Sequence, residues 1–208
     1  MNTQRIFAGA PVTALACALC AIFFVAAAIA GTGLRESMLL FGPFAAEGWG
    51  WLRALTSGFM HLDLPHVVLN VLMLALIGAE VERFVGPRSY ALAYVAGLLG
   101  SSAAVLAMNF TTPTAGASGV LYMLMALLVG IAYRRQTDLR PAFALVAVNL
   151  AYSLIAPGVS LWGHVGGLVM GILLAFPLTS PDPRVRGAGA AGGVLLGGVA
   201  VALSLLAF

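Results

Sequence analysis

A serine and a histidine stand at the starts of two separate apolar stretches of this chain. Ser118 lies in the run GASG, and His164 opens another apolar segment further along. Polar side chains that can transfer protons are costly inside a membrane and are seldom idle there. The pair predicts a nucleophile with its general base, and therefore hydrolysis carried out within a lipid bilayer.

Two more polar side chains precede the serine. His66 and Asn70 are four residues apart, which places them one turn apart on the same face of a helix. Both can donate hydrogen bonds to one point, as the oxyanion of a tetrahedral intermediate requires, and losing one such donor typically lowers a rate by about 100-fold to 1,000-fold. If Ser118 begins its helix, its backbone N–H is a third available donor.

The composition is that of an integral membrane protein, because 62% of the 208 residues are hydrophobic and only 8% are charged. Apolar runs long enough to cross a bilayer predict an all-α membrane protein, a polytopic helical bundle. We predict a single membrane domain over 1–208, with a core at about 6–179 and an additional C-terminal helix. The predicted segments are about 6–31, 66–84, 90–109, 118–133, 141–156, 162–179 and 187–208.

The first segment also resembles a secretory signal, since Ala28-Ile29-Ala30 is similar to a cleavage site. The apolar run that begins at Ile6 is longer than a usual signal core and long enough to span a membrane. We therefore expect the segment to be retained as the first membrane helix, with cleavage as the alternative.

All ten basic residues are arginines, and their distribution predicts an orientation. If the N-terminus is cytoplasmic, only Arg35 and Arg53 fall outside, as the positive-inside rule favours. The eight that fall inside are Arg5, Arg83, Arg88, Arg134, Arg135, Arg140, Arg184 and Arg186. This orientation directs the active site to the outer side, and it leaves no basic cluster large enough to suggest nucleic-acid binding.

The helical rise predicts that the polar side chains lie at one depth. If Arg134 and Arg135 mark the cytoplasmic surface, the helical rise places Ser118 about 22 Å above that surface. Glu82 and Leu178 lie near the inner ends of their segments. His66 is expected about 24 Å above Glu82, and His164 about 21 Å above Leu178. Side chains from three separate segments are therefore expected to meet near the outer surface.

Glycines on two segments predict how the serine and the histidine reach each other. Gly163, Gly167 and Gly171 form a small-residue stripe on the sixth segment, and Gly116 and Gly119 flank the serine on the fourth. Small residues let two membrane helices approach closely. Packing alone is the other interpretation of the stripe.

Each polar residue also has a purely structural interpretation. Ser118 could cap a helix, His164 could pair with a backbone carbonyl, and Asn70 could bridge two helices. His61 precedes its helix and is expected to contact only water. The agreement in depth of four polar residues favours the catalytic interpretation.

Five fragments occur in a characteristic order between about residues 49 and 178. They are the region of Arg53, HLDLPHVVLN, GAEVERFVG, GASGVLYMLMA and GHVGGLVMG. Together they resemble the rhomboid family of intramembrane serine proteases, and a seventh helix after the core corresponds to the six-plus-one arrangement of that family.

The resemblance implies a role for each matching residue. Ser118 is the implied nucleophile, His164 the general base and then acid, and His66 and Asn70 the oxyanion-stabilising side chains. Tyr122 is expected to pack against the His164 ring. The implied site-supporting residues are Gly116, Tyr122, Gly167, Gly171 and Arg53.

The acidic residues predict a dyad rather than a triad. All seven lie near surfaces or in loops, so none is available at the depth of His164. Asp63, the one nearest the outer entrance, precedes Pro65 and is expected to start a helix. Without a carboxylate partner, His164 is expected to be oriented by packing.

The expected substrates are single-pass transmembrane proteins whose helices unwind near their outer ends, because a peptide bond within a regular helix is shielded and rigid. The lipid bilayer is the other expected partner, and no cofactor, metal or nucleic acid is expected. The alternatives are a non-catalytic member of the same fold that escorts membrane helices, a rhombosortase-like processor of C-terminal anchors, and a small transporter, which would need a charged residue near mid-membrane. The expected location is a prokaryotic plasma membrane.

Overall fold

The computed structural model describes residues 6–208, so Arg5 lies outside the described residues. Within them, seven long helices follow one another along the chain. They are α1 (Pro11–Ala30), α2 (Leu64–Val85), α3 (Pro87–Met108), α4 (Ser118–Arg134), α5 (Arg140–Ile155), α6 (Leu161–Leu178) and α7 (Pro183–Leu206). The predicted helical bundle is thereby confirmed, and each of the seven predicted segments overlaps one of these helices.

Five of these helices are long and apolar enough to cross a membrane by themselves. The two shorter ones, α4 and α5, have 17 and 16 residues. At a rise of about 1.5 Å per residue they extend about 24 to 26 Å, most of the thickness of a hydrocarbon core. The chain is an integral, multi-pass membrane protein.

The two helix starts that differ most from the prediction have a proline in the first turn. α1 begins at Pro11 rather than near residue 6, after Gly9 takes a φ of 73°. α7 begins at Pro183 rather than near residue 187, and the Asp182 side chain accepts a hydrogen bond from the N–H of Arg184 at 2.8 Å. Proline fits a first turn because its missing N–H would be unbonded there anyway, a signal that hydropathy does not contain.

The connection between α1 and α2 folds into short helical turns. They cover Thr32–Met38, Gly42–Ala45, Gly50–Leu52, Arg53–Thr56 and Ser57–Phe59. Two of its aromatic side chains face outward, Trp49 at 78% exposure and Phe44 at 51%. Amphipathic rings favour the membrane interface, so we predict that this connection lies partly embedded there.

Helix α4 lies at the centre of the bundle. Every residue from Gly119 to Leu127 is buried. Because other helices surround this stretch, it needs no polar face, and its side chains are apolar on nearly all sides. Because Ser118 precedes this buried stretch, the central helix fixes its position.

Helices α5 and α7 lie at the periphery. Only Ser153 of α5 is buried, and most of the other side chains of this helix are exposed. α7 packs on α3 and α6 through small residues, with Gly193 against Leu174 and Gly197 against Leu99. Ser153 is therefore the one side chain of α5 that is buried in the bundle.

Helices α4 and α6 approach so closely that only glycine fits at their contact. A Cβ at Gly167 would overlap the backbone carbonyl of Gly119, and a Cβ at Gly171 would lie 2.5 Å from the backbone oxygen of Met123. Removing side chains from this surface lets the backbones meet. The glycine stripe therefore sets the separation of the two helices that carry Ser118 and His164.

A buried carboxylate joins α2 to the beginning of α1. Glu82 is fully buried and accepts hydrogen bonds from the backbone N–H groups of Val12 and Thr13, at 3.0 and 2.7 Å. It also accepts one from the Thr13 hydroxyl at 2.7 Å. The first N–H groups of a helix have no partner within the helix, and a negative charge there is favoured by the helix dipole. Glu82 thus supplies from a distance the cap that α1 lacks locally.

Replacing Glu82 by alanine is expected to destabilise the bundle by about 2 to 5 kcal/mol, because three buried donors lose their acceptor. The measurement is unfolding of the purified protein by sodium dodecyl sulfate, followed by circular dichroism. Glu80→Ala is the matched control, since Glu80 is exposed and pairs with Arg83 and Arg135 at the surface. A change within about 0.5 kcal/mol is expected there, and equal effects of the two variants would exclude the capping role.

Helix α2 contains one wider turn that the sequence did not predict. Residues Leu74–Gly78 form a π-helical segment between the end that bears His66 and the end that bears Glu82. A π turn accommodates an extra residue and changes the direction in which the following side chains point. Counting along a regular helix therefore gives only an approximate relation between the two ends.

Candidate active site

Ser118 and His164 lie within hydrogen-bonding distance of each other. The Ser118 hydroxyl oxygen is 2.8 Å from Nε2 of His164. Ser118 is the first residue of α4, and His164 lies in the first turn of α6. Two helices that begin at the same end of the bundle therefore bring together groups that are 46 residues apart in the chain.

Local sequence explains why both helices begin where they do. Gly116 has a φ of 121°, a conformation that side-chain-bearing residues rarely adopt, and it turns the chain into α4. Ser160 caps α6, its hydroxyl accepting a hydrogen bond from the N–H of Gly163 at 3.3 Å. These turns place the serine and the histidine at the starts of helices rather than within continuous helix.

The loop before Ser118 is held by the α1–α2 connection. Leu40 and Thr114 exchange two backbone hydrogen bonds of 2.9 Å, and the N–H of Gly42 donates to the carbonyl of Phe110 at 2.8 Å. Closer to the serine, the N–H of Gly116 donates to the carbonyl of Ser57 at 3.0 Å. The loop is therefore fixed by backbone contacts that hydropathy does not reveal.

Arg53 lies apart from the reactive groups and stabilises the connection that holds the loop. Its guanidinium donates to the backbone carbonyls of Glu36 and Leu39, at 2.5 and 2.9 Å. The same group lies 5.3 Å from the ring centre of Phe44, a cation–π contact. Leu39 is followed by Leu40, which pairs with Thr114 in the loop before the serine. Arg53 therefore supports the position of Ser118 indirectly, through backbone hydrogen bonds.

Tyr122 stacks on the imidazole of His164. The ring centres are 4.2 Å apart, and the ring planes are inclined by only 14°. Tyr122 is one helical turn after Ser118, so α4 presents the hydroxyl and the stacking ring to the same partner. Both rings are nearly inaccessible to solvent, at 3% and 6% exposure.

Ser153, which sequence reasoning missed, contacts the other nitrogen of the imidazole. Its hydroxyl oxygen lies 2.7 Å from Nδ1 of His164 and 2.5 Å from the phenol oxygen of Tyr122. A hydrogen bond thus orients the His164 ring in addition to the expected packing against Tyr122. The available signal was the pair of polar residues Asn149 and Ser153, four apart in an otherwise apolar segment.

His66 lies beside the loop that precedes Ser118. A Cβ at Gly116 would be 2.6 Å from Nε2 of His66 and 3.8 Å from the Ser118 hydroxyl oxygen. The absence of a side chain at Gly116 thus leaves room for the imidazole beside the serine. Asp63 accepts a hydrogen bond from the backbone N–H of His66 at 2.8 Å, which confirms its predicted role at the start of α2.

Asn70 is buried one turn below His66 on α2. Its Nδ2 donates a hydrogen bond to the backbone carbonyl of His66 at 2.9 Å, and its Oδ1 has no partner within the described residues. An amide nitrogen carries two hydrogens, so one donor remains after this bond. Asn70 is therefore held in place by its own helix while it keeps a hydrogen for another acceptor.

His61 is fully buried, so the prediction that it contacts only water is wrong. Its ring lies edge-on to that of His66, with centres 4.8 Å apart. Burial, followed by the charge of the neighbouring His66, lowers the pKa of His61 to about 4. The neutral ring accepts a hydrogen bond on Nε2 from the backbone N–H of Ala117, at 3.4 Å. His61 thus contacts the residue immediately before Ser118.

A small cavity of about 20 Å³ adjoins the loop before the serine. Its lining includes the serines Ser57, Ser101 and Ser102 together with Gly116. A space of this size accommodates one water molecule, and the serine hydroxyls offer hydrogen bonds to it.

The arrangement contains the parts required for nucleophilic hydrolysis. A hydroxyl faces an imidazole nitrogen, the other nitrogen of that imidazole is hydrogen-bonded, and the imidazole of His66 lies beside the glycine that precedes the serine by two residues. These are the geometric relations among nucleophile, base, orienting group and oxyanion donor that acyl transfer uses.

Comparison with known proteins identifies similar sequences. The family model described as "Rhomboid domain" matches residues 48–181. The rhomboid protease GluP of Bacillus subtilis is 30% identical over 190 residues, which cover 86% of this chain and 37% of GluP. Two other similar proteins are 29% and 28% identical, the Rhomboid-related protein 3 of Homo sapiens and the rhomboid protease GlpG of Pectobacterium atrosepticum.

The human and Pectobacterium proteins each match 68% of this chain. The matched regions are 39% of the human protein and 54% of the Pectobacterium protein. The chain therefore spans between about a third and about half of the length of these relatives.

Proposed function

The chain belongs to the rhomboid family, and from this premise we propose that it is an intramembrane serine endopeptidase with a Ser118/His164 dyad. The observation that carries the proposal is the 2.8 Å separation of the Ser118 hydroxyl oxygen and Nε2 of His164. Two of the similar bacterial proteins carry the name rhomboid protease.

The reaction begins with transfer of the Ser118 proton to Nε2 of His164 as the hydroxyl oxygen attacks the carbonyl carbon of a peptide bond. The resulting tetrahedral oxyanion collapses, the C–N bond breaks, and the imidazolium gives its proton to the departing amine. A water molecule then attacks the acyl-enzyme, its proton passing to His164. A second collapse returns the proton to Ser118 and releases the product as a carboxylic acid, which then loses its remaining proton to water.

Three donors stabilise the oxyanion in this proposal. They are the imidazole of His66, the remaining N–H of Asn70 and the backbone N–H of Ser118. The position of His66 beside Gly116 and the serine supports the first assignment, and the first-residue position of Ser118 in α4 supports the third. The donors are already oriented before reaction, which is what makes such stabilisation effective.

Replacing Asn70 by alanine is expected to lower kcat by about 100-fold without abolishing cleavage, because one of three donors is lost. The measurement is the initial rate of cleavage of a transmembrane substrate in vesicles, at several substrate densities. Asn149→Ala is the matched control, since Asn149 makes the same type of side-chain bond to the carbonyl one turn earlier, at 2.8 Å. An unchanged kcat in Asn70→Ala would remove this residue from the oxyanion site.

The substrates in this proposal are single-pass transmembrane proteins, cut near the outer leaflet. α4 and α6 begin at the site, whereas at the far ends of α4 and α2 Arg135 donates to Glu80 at 2.7 Å. The arginine-rich end is cytoplasmic under the positive-inside rule, so the site opens outward. The seven helices act as one membrane domain, and a prokaryotic plasma membrane stays a prediction.

Covalent labelling of membranes by a fluorophosphonate probe tests the proposed function. An activated serine hydroxyl attacks the phosphorus and displaces fluoride, so labelling is expected for the native protein and not for Ser118→Ala. A non-catalytic member of the family that escorts membrane helices would not be labelled at Ser118. Equal labelling of the two proteins refutes the assignment of the nucleophile.

Profiling of cleaved membrane proteins distinguishes a general protease from a rhombosortase-like processor of C-terminal anchors.

A further inference from the structure

Helix α5 contributes one buried side chain to the bundle, and that side chain is polar. Ser153 is 5% exposed, whereas its neighbours Tyr152 and Leu154 are 58% and 66% exposed. An apolar residue would be the expected anchor for a peripheral helix, since burying a hydroxyl is costly unless it is hydrogen-bonded. The position of Ser153 therefore calls for an explanation in terms of its partners.

Three polar atoms surround the Ser153 hydroxyl oxygen. The backbone oxygen of Asn149 is 2.8 Å away, Nδ1 of His164 is 2.7 Å away, and the phenol oxygen of Tyr122 is 2.5 Å away. The contacts come from α5, α6 and α4, so the hydroxyl lies where three helices meet. Each distance is within the range of a hydrogen bond.

A count of hydrogens assigns the direction of each bond. The Asn149 carbonyl can only accept, so the single hydrogen of the Ser153 hydroxyl is donated to it. The oxygen of Ser153 then accepts two hydrogen bonds, one from the Tyr122 phenol and one from Nδ1 of His164. All three contacts are satisfied only when Nδ1 carries the hydrogen, which leaves the Nε2 lone pair free to face Ser118.

We propose that Ser153 is a positioning residue that holds the His164 imidazole in the tautomer protonated on Nδ1 and orients Nε2 toward the Ser118 hydroxyl. This assignment rests on the proposed function, because it makes the imidazole ready to take the serine proton. The tautomer of a histidine is set by the hydrogen bond that its other nitrogen makes. Ser153 thus occupies the place that a carboxylate holds in a catalytic triad, without its negative charge.

If Ser153 only bonded to its own helix, replacing it would not change the tautomer of His164. Serines in membrane helices commonly bond to the carbonyl one turn earlier, and such a bond needs no other partner. Ser204 on α7 shows this pattern, because its hydroxyl oxygen lies 2.9 Å from the carbonyl oxygen of Ala200 one turn earlier and 3.3 Å from that of Ala103. Since Ser204 contacts no catalytic group, Ser204→Ala is the matched control for Ser153→Ala.

The experiment measures the tautomer directly by nitrogen-15 magnetic resonance of histidine-labelled protein in detergent. The signals of His164 are identified by their absence from His164→Ala. In the native protein and in Ser204→Ala, Nδ1 is expected to be protonated and Nε2 unprotonated. In Ser153→Ala a substantial fraction of molecules is expected to carry the hydrogen on Nε2. An unchanged tautomer in Ser153→Ala overturns the proposal.

The kinetic readout separates positioning from substrate binding. Ser153→Ala is expected to lower kcat by about 5-fold to 100-fold, the effect of losing one buried hydrogen bond, with KM unchanged. Ser204→Ala is expected to retain native kcat and KM. The proposal is contradicted if kcat falls by a similar factor in both variants. It is also contradicted if Ser153→Ala raises KM and leaves kcat unchanged.

Failure of this inference and failure of the proposed function give different results. If Ser118 is not the nucleophile, Ser118→Ala is labelled and cleaves like the native protein, while the nitrogen signals still report the effect of Ser153 on the imidazole. If Ser153 does not set the tautomer, the signals of Ser153→Ala match those of the native protein, while cleavage still depends on Ser118.

Discussion

Replacing Ser118 or His164 by alanine is expected to lower cleavage of a model transmembrane substrate by at least about 10⁴-fold. The two groups act as one unit, since the hydroxyl reacts only as its proton passes to Nε2 across a separation of 2.8 Å. Removing either member of such a unit costs about as much as removing both. The double variant is therefore expected to be no less active than either single variant.

Cleavage is measured on purified protein in vesicles, by following the appearance of the shortened substrate. Ser37→Ala is the matched control, because Ser37 is exposed on the α1–α2 connection and donates only to the carbonyl of Leu34, at 2.8 Å. Resistance to unfolding by sodium dodecyl sulfate is expected to stay native in all variants, which separates loss of chemistry from loss of structure. Native cleavage by folded Ser118→Ala would falsify the catalytic assignment.

Replacing Gly167 by alanine is expected to lower activity by at least about 100-fold and to destabilise the bundle by about 1 to 3 kcal/mol. The added Cβ would overlap the carbonyl of Gly119, the residue immediately after Ser118. Backbone atoms cannot rotate away as a flexible side chain can, so α6 must move from α4. That movement separates His164 from Ser118, and a displacement of about 1 Å is enough for a loss of this size.

The measurement combines the cleavage rate with the free energy of unfolding in detergent. Gly198→Ala on α7 is the matched control, because a Cβ at Gly198 would meet no atom within 4 Å. Native activity and a stability change within about 1 kcal/mol are expected there. If Gly167→Ala cleaves at the native rate, the close contact of α4 and α6 does not determine the geometry of the dyad.

Much of the fold could be predicted from the sequence because a bilayer restricts what the backbone can do. A chain in hydrocarbon must satisfy its hydrogen bonds within each segment, so an apolar run of sufficient length is a helix. The seven helices, the start of α2 after Asp63 and the relation of His66 to Asn70 on one helix face follow from such local rules.

Parts of the candidate site depend on which residues face one another across helices. Ser153 makes the same bond to its own helix as Ser204, and its spacing from Asn149 marks a polar face without showing which helix that face meets. Its contact with His164 arises because α5 lies beside α6. His61 was likewise expected to contact water. It is buried because the loop before Ser118 packs against it, a contact that the sequence near His61 does not indicate.

The sequence alone determined which segments cross the membrane and which polar residues begin them, since helical rise and hydropathy are properties of single segments. Tertiary structure decided which partner each polar atom meets. Glu82 caps a helix about 70 residues away, and Ser153 reaches the imidazole of a neighbouring helix. The physical reason is that a hydrogen bond extends only about 3 Å, so it depends on the rotation and separation of whole helices. Those quantities are set by packing between segments, including the glycine contact of Gly167 with Gly119.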